Sequence, residues 1–392
     1  MINKIKAAAD QYFERLVAIR RHLHAHPELS FQEYETSNYV EHALKGLGLE
    51  VTRMATTGLL VMIEGGKPGP VIALRGDLDA LPIFEKNDAP YCSTNEGVMH
   101  ACGHDVHTTC LLGAAMILNE FKDELSGSVK LIFQPGEEKL PGGASIMIKE
   151  GALEDPSPAS IFGQHVHPEL EVGKVGFKAG KYMASCDEVY LTVKGKGGHG
   201  ALPHKNIDPI LIAAQTIVAM QQVVSRRSDP MMPTVLSFGK IEGKGATNVI
   251  PDTVEIAGTF RTFDEDWRQE AHKWIRQIAE ETAKSHGGTC EVRIERGYPF
   301  VYNDEALTER ARAAAEAYLG AENVVDLEMR ATGEDFSYYS QVMPGSFHRL
   351  GVRNEARGIV HPVHSPLFDA DEACLRVGAG LMAWLAVNEM KG

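Results

Sequence analysis

The 392-residue sequence predicts an α/β protein of two domains, in which a smaller β-α-β-β-α-β domain is inserted into a larger one. Three observations carry this expectation. The chain is too long for one ordinary core, and about two domains are expected. Short apolar runs that end in polar or acidic residues alternate with stretches of helical periodicity, as in a sheet packed by helices. Between Cys186 and Arg296 the pattern changes to alternating strands separated by two helices. These changes divide the chain into a larger domain, 1–183 plus 297–392, and an insert, 184–296.

Residues 2–25 have the periodicity of an amphipathic helix. Pro27 follows, and a second helix is expected over 32–47, ending near Gly48. His22, His24 and His26 fall at the end of the first helix, where solvated or capping roles are expected. Val71 to Asp77 is a short apolar run ending in polar residues, hence a buried strand. Asp77-Leu-Asp-Ala-Leu-Pro82 then leaves the sheet. Carboxylates just past a strand's C-terminal end lie where open α/β sheets place their chemistry. Asp79 is expected to orient a metal-bound imidazole.

The stretch His100-Ala-Cys-Gly-His-Asp-Val-His107 gathers one thiol, three imidazoles and a carboxylate. Gly103 lets the backbone turn tightly, so that Cys102 and His104 can face one centre. Thiolate and imidazole together suit zinc and similar ions. From Asp105 onward a helix is expected. Next, Ser128 to Gln134 reads as a strand stopped by Pro135, followed by Glu137 and Glu138. Two adjacent carboxylates at a strand end are costly together unless a cation shares the site. One is therefore expected to be a ligand and the other a general base. A short helix should follow Gly142-Gly143. Ser160 to Val166 reads as a buried strand that breaks before Pro168, leaving one of His165 and His167 aimed at the site. A last imidazole is sought in His361-Pro-Val-His364, where spacing allows either histidine; His348 is a weaker candidate.

Within the insert, strands are expected from Val189 to Val193, over 234–242, 253–263 and 289–295, with helices over 208–227 and 267–286. This is the ferredoxin-like order. His199 lies in a glycine-rich turn, Asn248 shortly before Pro251, and Arg261 on a strand. The larger domain resumes with a helix over 305–319 stopped by Gly320, a loop at 331–336, a strand near 347–352 and a final helix from about Asp371.

Composition narrows the partners. The formal net charge is −14 and no basic run appears, which argues against nucleic acid and anionic membranes. No apolar run approaches a membrane span, and the N-terminal stretch lacks the apolar core of a signal peptide. The six cysteines show no framework spacing, so reduced thiols and a cytoplasmic location are expected.

Together the motifs Arg75-Gly-Asp-Leu-Asp-Ala-Leu-Pro82, His100 to His107, Gln134-Pro-Gly-Glu-Glu138, Gly197-Gly-His-Gly-Ala-Leu-Pro-His204 and Thr247-Asn-Val-Ile-Pro251 resemble the dinuclear metallo-amidohydrolases. That family contains aminoacylases, hippurate hydrolases and auxin-conjugate hydrolases, and the resemblance runs from Arg21 to His364. It implies a zinc-peptidase-like catalytic domain with a central mixed sheet flanked by helices, carrying a ferredoxin-like lid. It implies two divalent ions (zinc, or manganese, cobalt or nickel) on Cys102, His104, Glu138, His165 and His364, with Glu137 as general base. It places the family's lid histidine at His199, and Asn248 and Arg261 at the substrate carboxylate. It also implies a homodimer or higher oligomer through the lid. Where the wider clan has His-x-Asp, this chain has Asp77-Leu-Asp79, as in the branch whose cysteine joins the ligands.

The reaction implied is hydrolysis of the amide of an N-acyl amino acid. The nearest alternatives are a dipeptidase or carboxypeptidase and a biosynthetic N-acetyl-amino-acid deacetylase. A cysteine hydrolase using Cys102 and a non-catalytic metal-binding protein are the more distant ones.

Overall fold

In the computed structural model, which describes residues 1–391, the chain opens with α1 (Ile2–Ala25) and α2 (Tyr34–Lys45). The strands β1 (Val51–Met54), β2 (Gly58–Ile63) and β3 (Lys67–Asp77) follow. A long excursion then leads to α3 (His104–Glu120), β4 (Ser126–Gln134) and α4 (Gly143–Lys149). Next come β5 (Ser160–Glu171), β6 (Val175–Phe177) and β7 (Gly180–Met183), where the chain leaves the first of two compact units.

The second unit holds β8 (Asp187–Lys194), β9 (Gly198–His199), α5 (Pro209–Gln222), β10 (Thr234–Glu242), β11 (Val249–Ile250), β12 (Thr253–Thr262), α6 (Glu265–Ser285) and β13 (Thr289–Arg296). The chain re-enters the first unit within β14 (Val301–Asn303). It continues through α7 (Glu305–Leu319), β15 (Val324–Asp326), α8 (Ser337–Ser340), β16 (Gly345–Arg353) and α9 (Cys374–Glu389).

The first unit is built on a mixed eight-stranded sheet of order β1-β2-β4-β3-β5-β16-β6-β15. Its centre is parallel: β3 pairs in parallel with β4 and β5, and β5 with β16. β4, β3 and β5 therefore end on the same edge, so Asp77, the Glu137-Glu138 pair and His165 are delivered to one region. The helix α3 is buried along nearly its whole length, and Leu111, Ala115 and Leu118 join Leu16 of α1 and Leu375, Ala379 and Met382 of α9 in one core. Such all-round burial explains why its apolar residues form no clean stripe.

The second unit has a four-stranded antiparallel sheet of order β10-β12-β8-β13. Val189, Leu191 and Val193 of β8 and Ile256 and Phe260 of β12 pack against Ile212 and Met220 of α5 and Ala271, Ile275 and Ala279 of α6. Asp187 anchors this unit from a fully buried position. It accepts bonds from both ends of the Arg268 guanidinium, from His272 Nε2 at 2.7 Å and from the Gly297 N–H at 3.0 Å. Burial works against its charge, but Arg268 and His272 outweigh it and hold the carboxyl at about 2. A carboxyl depressed on folding contributes stability that is complete above its unfolded value near 4 and is lost as pH falls through 2. Acid unfolding of this unit, followed by hydrogen exchange, should therefore show a loss of about 2 kcal/mol between pH 4 and 2 that is absent in Asp187→Asn.

The structure departs from expectation in several places. The second unit spans Tyr182–Val301, wider than 184–296, and also takes Arg330–Glu334 from the far end of the chain. That segment joins through main-chain bonds: the Ala184 N–H donates to Arg330 O and the Arg330 N–H to Tyr182 O. The helix expected over 208–227 is α-helical only to Gln222 and then widens into a π-helical turn, Val223–Arg227.

β5 does not break before Pro168 but runs to Glu171. Beyond Gly163 it no longer pairs with β3, and only β16 flanks it, so a proline without an N–H is tolerated there. Finally, His24 is neither solvated nor a cap. It is fully buried, 2.8 Å from Asp105 Oδ2 and 3.1 Å from Glu85 Oε1, beside the buried Arg20–Asp105 pair.

Candidate metal centre

The centre is assembled from the loops after β3 and β4, the start of α3, the interior of β5 and the segment that carries His364. β3 delivers Asp77 and, two residues on, Asp79. The main chain turns at Gly103, whose φ of +82° is the left-handed region that glycine occupies without strain. A Cβ there would also stand 2.6 Å from Val166 Cγ2. This turn sets Cys102 beside His104 at the start of α3. β4 ends at Pro135 and delivers Glu137 and Glu138. His364 carries a positive φ of 64°, uncommon for a non-glycine residue, and its N–H donates to Ala101 O at 2.7 Å. That bond fixes a residue from the far end of the chain next to Cys102.

Five side chains that were expected as ligands converge. Cys102 Sγ lies 3.4 Å from His165 Nε2, and His364 Nε2 lies 3.3 Å from Glu138 Oε1. His104 Nε2 lies 4.0 Å from both Glu138 Oε1 and Glu137 Oε2. The groups Cys102–His104–His165, Cys102–Glu138–His364 and His104–Glu137–Glu138 each have ligand atoms within 4.8 Å of one another. The linked groups share Cys102, His104 and Glu138. Of the alternatives left open by spacing, His361, His167 and His348 join none of these groups. His348 instead stacks on Phe177, at 5.3 Å between ring centroids.

The imidazoles are set by what holds their other nitrogens. His104 Nδ1 donates to Asp79 Oδ1 at 3.1 Å, and His165 Nδ1 donates to Val166 O at 2.8 Å. Both rings therefore present Nε2 to the centre, as metal-ligating histidines do. Asp79 is itself fixed by the Ser30 hydroxyl at 2.6 Å and by the Glu138 N–H at 3.0 Å, so it braces two of the five side chains. His107 is otherwise occupied. It donates from Nδ1 to Asp77 Oδ1 at 2.6 Å and accepts from the Val166 N–H at Nε2, at 2.9 Å.

The donor set fits divalent ions. His104 Nε2 and Glu138 Oε1 are buried with no hydrogen-bond partner, although they face the other donors. Burial opposes a charge on His104, yet Asp77 and Asp79 raise its proton affinity well above that of a free imidazole. A site that attracts one cation so strongly favours others. One thiolate, three imidazoles and a carboxylate form a borderline set of the kind zinc takes. Asp79→Asn should lower divalent-ion affinity about 10- to 100-fold, the usual cost of losing such a brace. Competition with a chromophoric chelator checks this, and unchanged affinity would remove Asp79 from the account.

Expectation missed one feature here. Asp335, in the loop after Gly333, is buried and accepts from Arg75 Nη2 at 2.7 Å and from Gln134 Nε2 at 2.8 and 2.9 Å. Its main-chain N–H lies 3.4 Å from Glu137 Oε1. The only sequence signal was a pair of acidic residues in a loop.

His199, Asn248 and Arg261 belong to the second unit. His199 on β9 pairs with Val249 on β11, and the Gly200 N–H donates to Asn248 O at 2.8 Å, so His199 and Asn248 are neighbours. Arg261 lies on β12, where its Nε donates to Thr259 Oγ1 at 3.0 Å.

A metal-dependent hydrolase is the class that this fold and donor set define. Residues 73–388 match the model of peptidase family M20/M25/M40, and the chain belongs to that family. It is 42% identical, over 92% of its length and 85% of the relative's, to the N-acetyl-L-cysteine deacetylase of Bacillus subtilis. To the N-acyl-L-amino acid amidohydrolase of Geobacillus stearothermophilus it is 43% identical, over 77% and 82% of the two chains. Among solved structures, the Bacillus subtilis YXEP protein, a dinuclear metal binding peptidase of the M20 family, superposes with a TM-score of 0.84. The two are 38% identical over 97% of this chain and 99% of the other.

Proposed function

We propose that this protein is a metal-dependent amidohydrolase that cleaves the amide bond of N-acyl amino acids, giving a carboxylic acid and a free amino acid. The observation that carries the reading is the convergence of Cys102, His104, Glu138, His165 and His364 with Glu137 beside them. These five residues would hold two divalent ions; zinc suits the donors, and manganese, cobalt or nickel are the alternatives. Such ions supply Lewis acidity and water of lowered pKa. Glu137 takes the proton of the attacking water and later delivers it to the leaving amine. His199 donates to the oxyanion of the tetrahedral intermediate, a contact worth about 10²–10³ in rate in other oxyanion holes. Arg261 and Asn248 hold the free carboxylate of the substrate.

The second unit is read as the lid. Its element order and strand order are those of a ferredoxin-like fold, and it carries His199, Asn248 and Arg261. It is also read as the contact surface of a homodimer. Ile210, Leu211 and Val218 on α5 are exposed, Val218 at 70%, and the edge strand β10, paired on one side only, carries exposed Val235 and Ile241. Light scattering would give the mass of two chains, whereas a monomeric mass would contradict it.

A chelator separates this reading from a cysteine hydrolase. Amine release should stop on chelation and return with added divalent ion; release that persists would move the reaction to Cys102. Burial, with Glu138, pushes the Cys102 thiol up, the opposite of an activated nucleophile.

A further inference from the structure

We infer that Asp335 is a positioning residue for the general base: it fixes the Glu137 carboxylate so that Oε2 is the oxygen that takes the proton. The inference rests on the amidohydrolase reading for the reaction itself. Glu137 is buried, and its two oxygens differ in surroundings. Oε1 lies 3.4 Å from the Asp335 N–H, whereas Oε2 faces His104 Nε2 at 4.0 Å. At 3.4 Å the N–H···O contact is long, as catalytic contacts are before substrate binds.

What makes Asp335 more than a passing main-chain donor is how firmly it is held. Its carboxylate accepts from Arg75 Nη2 at 2.7 Å, from Gln134 Nε2 at 2.8 and 2.9 Å and from the Ala144 N–H at 3.1 Å. Arg75 in turn bonds Asp77 at 2.5 Å and Gln134 Oε1 at 2.9 Å, and Asp77 accepts from His107. A buried chain of bonds thus runs from the Val166 N–H through His107, Asp77, Arg75 and Asp335 to the base. It ties the middle of β5, which carries His165, to the ends of β3 and β4, beyond which lie Glu137 and Glu138. Asp335 is, in addition, the first residue after the chain leaves Arg330–Glu334 of the second unit. An anchor at that point holds the Asp335 N–H where the chain re-enters the first unit. A shift of about 1 Å in a catalytic group costs on the order of 10² in rate.

The test measures kcat, KM and bound metal for Asp335→Asn and Gln134→Leu against the wild type, on an N-acyl amino acid that the wild type cleaves. Asp335→Asn should lower kcat about 100-fold and Gln134→Leu about 10-fold. KM should stay within about threefold and both ions should be retained. A mainly structural role would move metal content and KM along with kcat. If Asp335→Asn fails to fold, Gln134→Leu, which keeps the Arg75–Asp335 pair, decides. A kcat within about threefold of wild type, or activity lost in step with metal, overturns the inference. Wild-type protein that cleaves no N-acyl amino acid would instead overturn the reading of the reaction.

Discussion

Glu137→Ala should lose about 10²–10⁴ or more of its turnover while still binding both ions. The site gives the reason. Glu137 is buried beside, but distinct from, the residues that complete the donor set. Its Oε2 is 4.0 Å from His104 Nε2, while Glu138 Oε1 is 3.3 Å from His364 Nε2. Removing the first carboxylate therefore takes away the proton acceptor and leaves Cys102, His104, Glu138, His165 and His364 intact. Metal analysis and amine release on the same preparation check this. Turnover retained in Glu137→Ala would end its assignment as base, and loss of an ion would make it a ligand instead.

The second large effect is on stability. Arg75→Met should destabilise the first unit by about 3–5 kcal/mol, the usual cost of stranding a buried charge. Arg75, Asp77 and Asp335 are all fully buried, and the guanidinium spans both carboxylates. Burial pushes the Asp77 carboxyl up, but His104, Arg75 and His107 together hold it well below the ordinary range. Without Arg75 two carboxylates remain in a low-dielectric site with one partner fewer. Thermal unfolding should shift down on the order of 10 °C. A shift of only about 2 °C would mean that Gln134, His104 and His107 suffice to carry the charge.

How much of this was legible in the sequence depended on how locally each feature is encoded. Cys102, His104, Glu137 and Glu138 lie in short motifs next to an apolar strand or a helix start, and both the residue types and their placement are visible there. Asp79 was legible for the same reason, two residues past β3. Helix α7 and strand β10 were placed to the residue because Gly320 and the alternation of 234–242 mark them.

Features fixed by distant partners were not legible. Spacing could not choose His364 over His361, because the choice is made by a main-chain bond to Ala101. His24 looked like a helix-end side chain, since its partners Asp105 and Glu85 are far away in sequence. Asp335 gave no signal without Arg75 and Gln134 beside it. Pro168 suggested a strand end because sequence does not reveal that one side of β5 is unpaired there.

Hydrolysis of the amide of an N-acyl amino acid is the reaction proposed for this site. Its most direct test is the release of free amino acid from N-acetyl, N-benzoyl, long-chain acyl and indole-acetyl amino acids and from dipeptides, with a divalent ion added. Release is expected from at least one N-acyl class, well above that from dipeptides, and it should be abolished in Glu137→Ala. Release from dipeptides alone, or from no compound while both ions are bound, would contradict it.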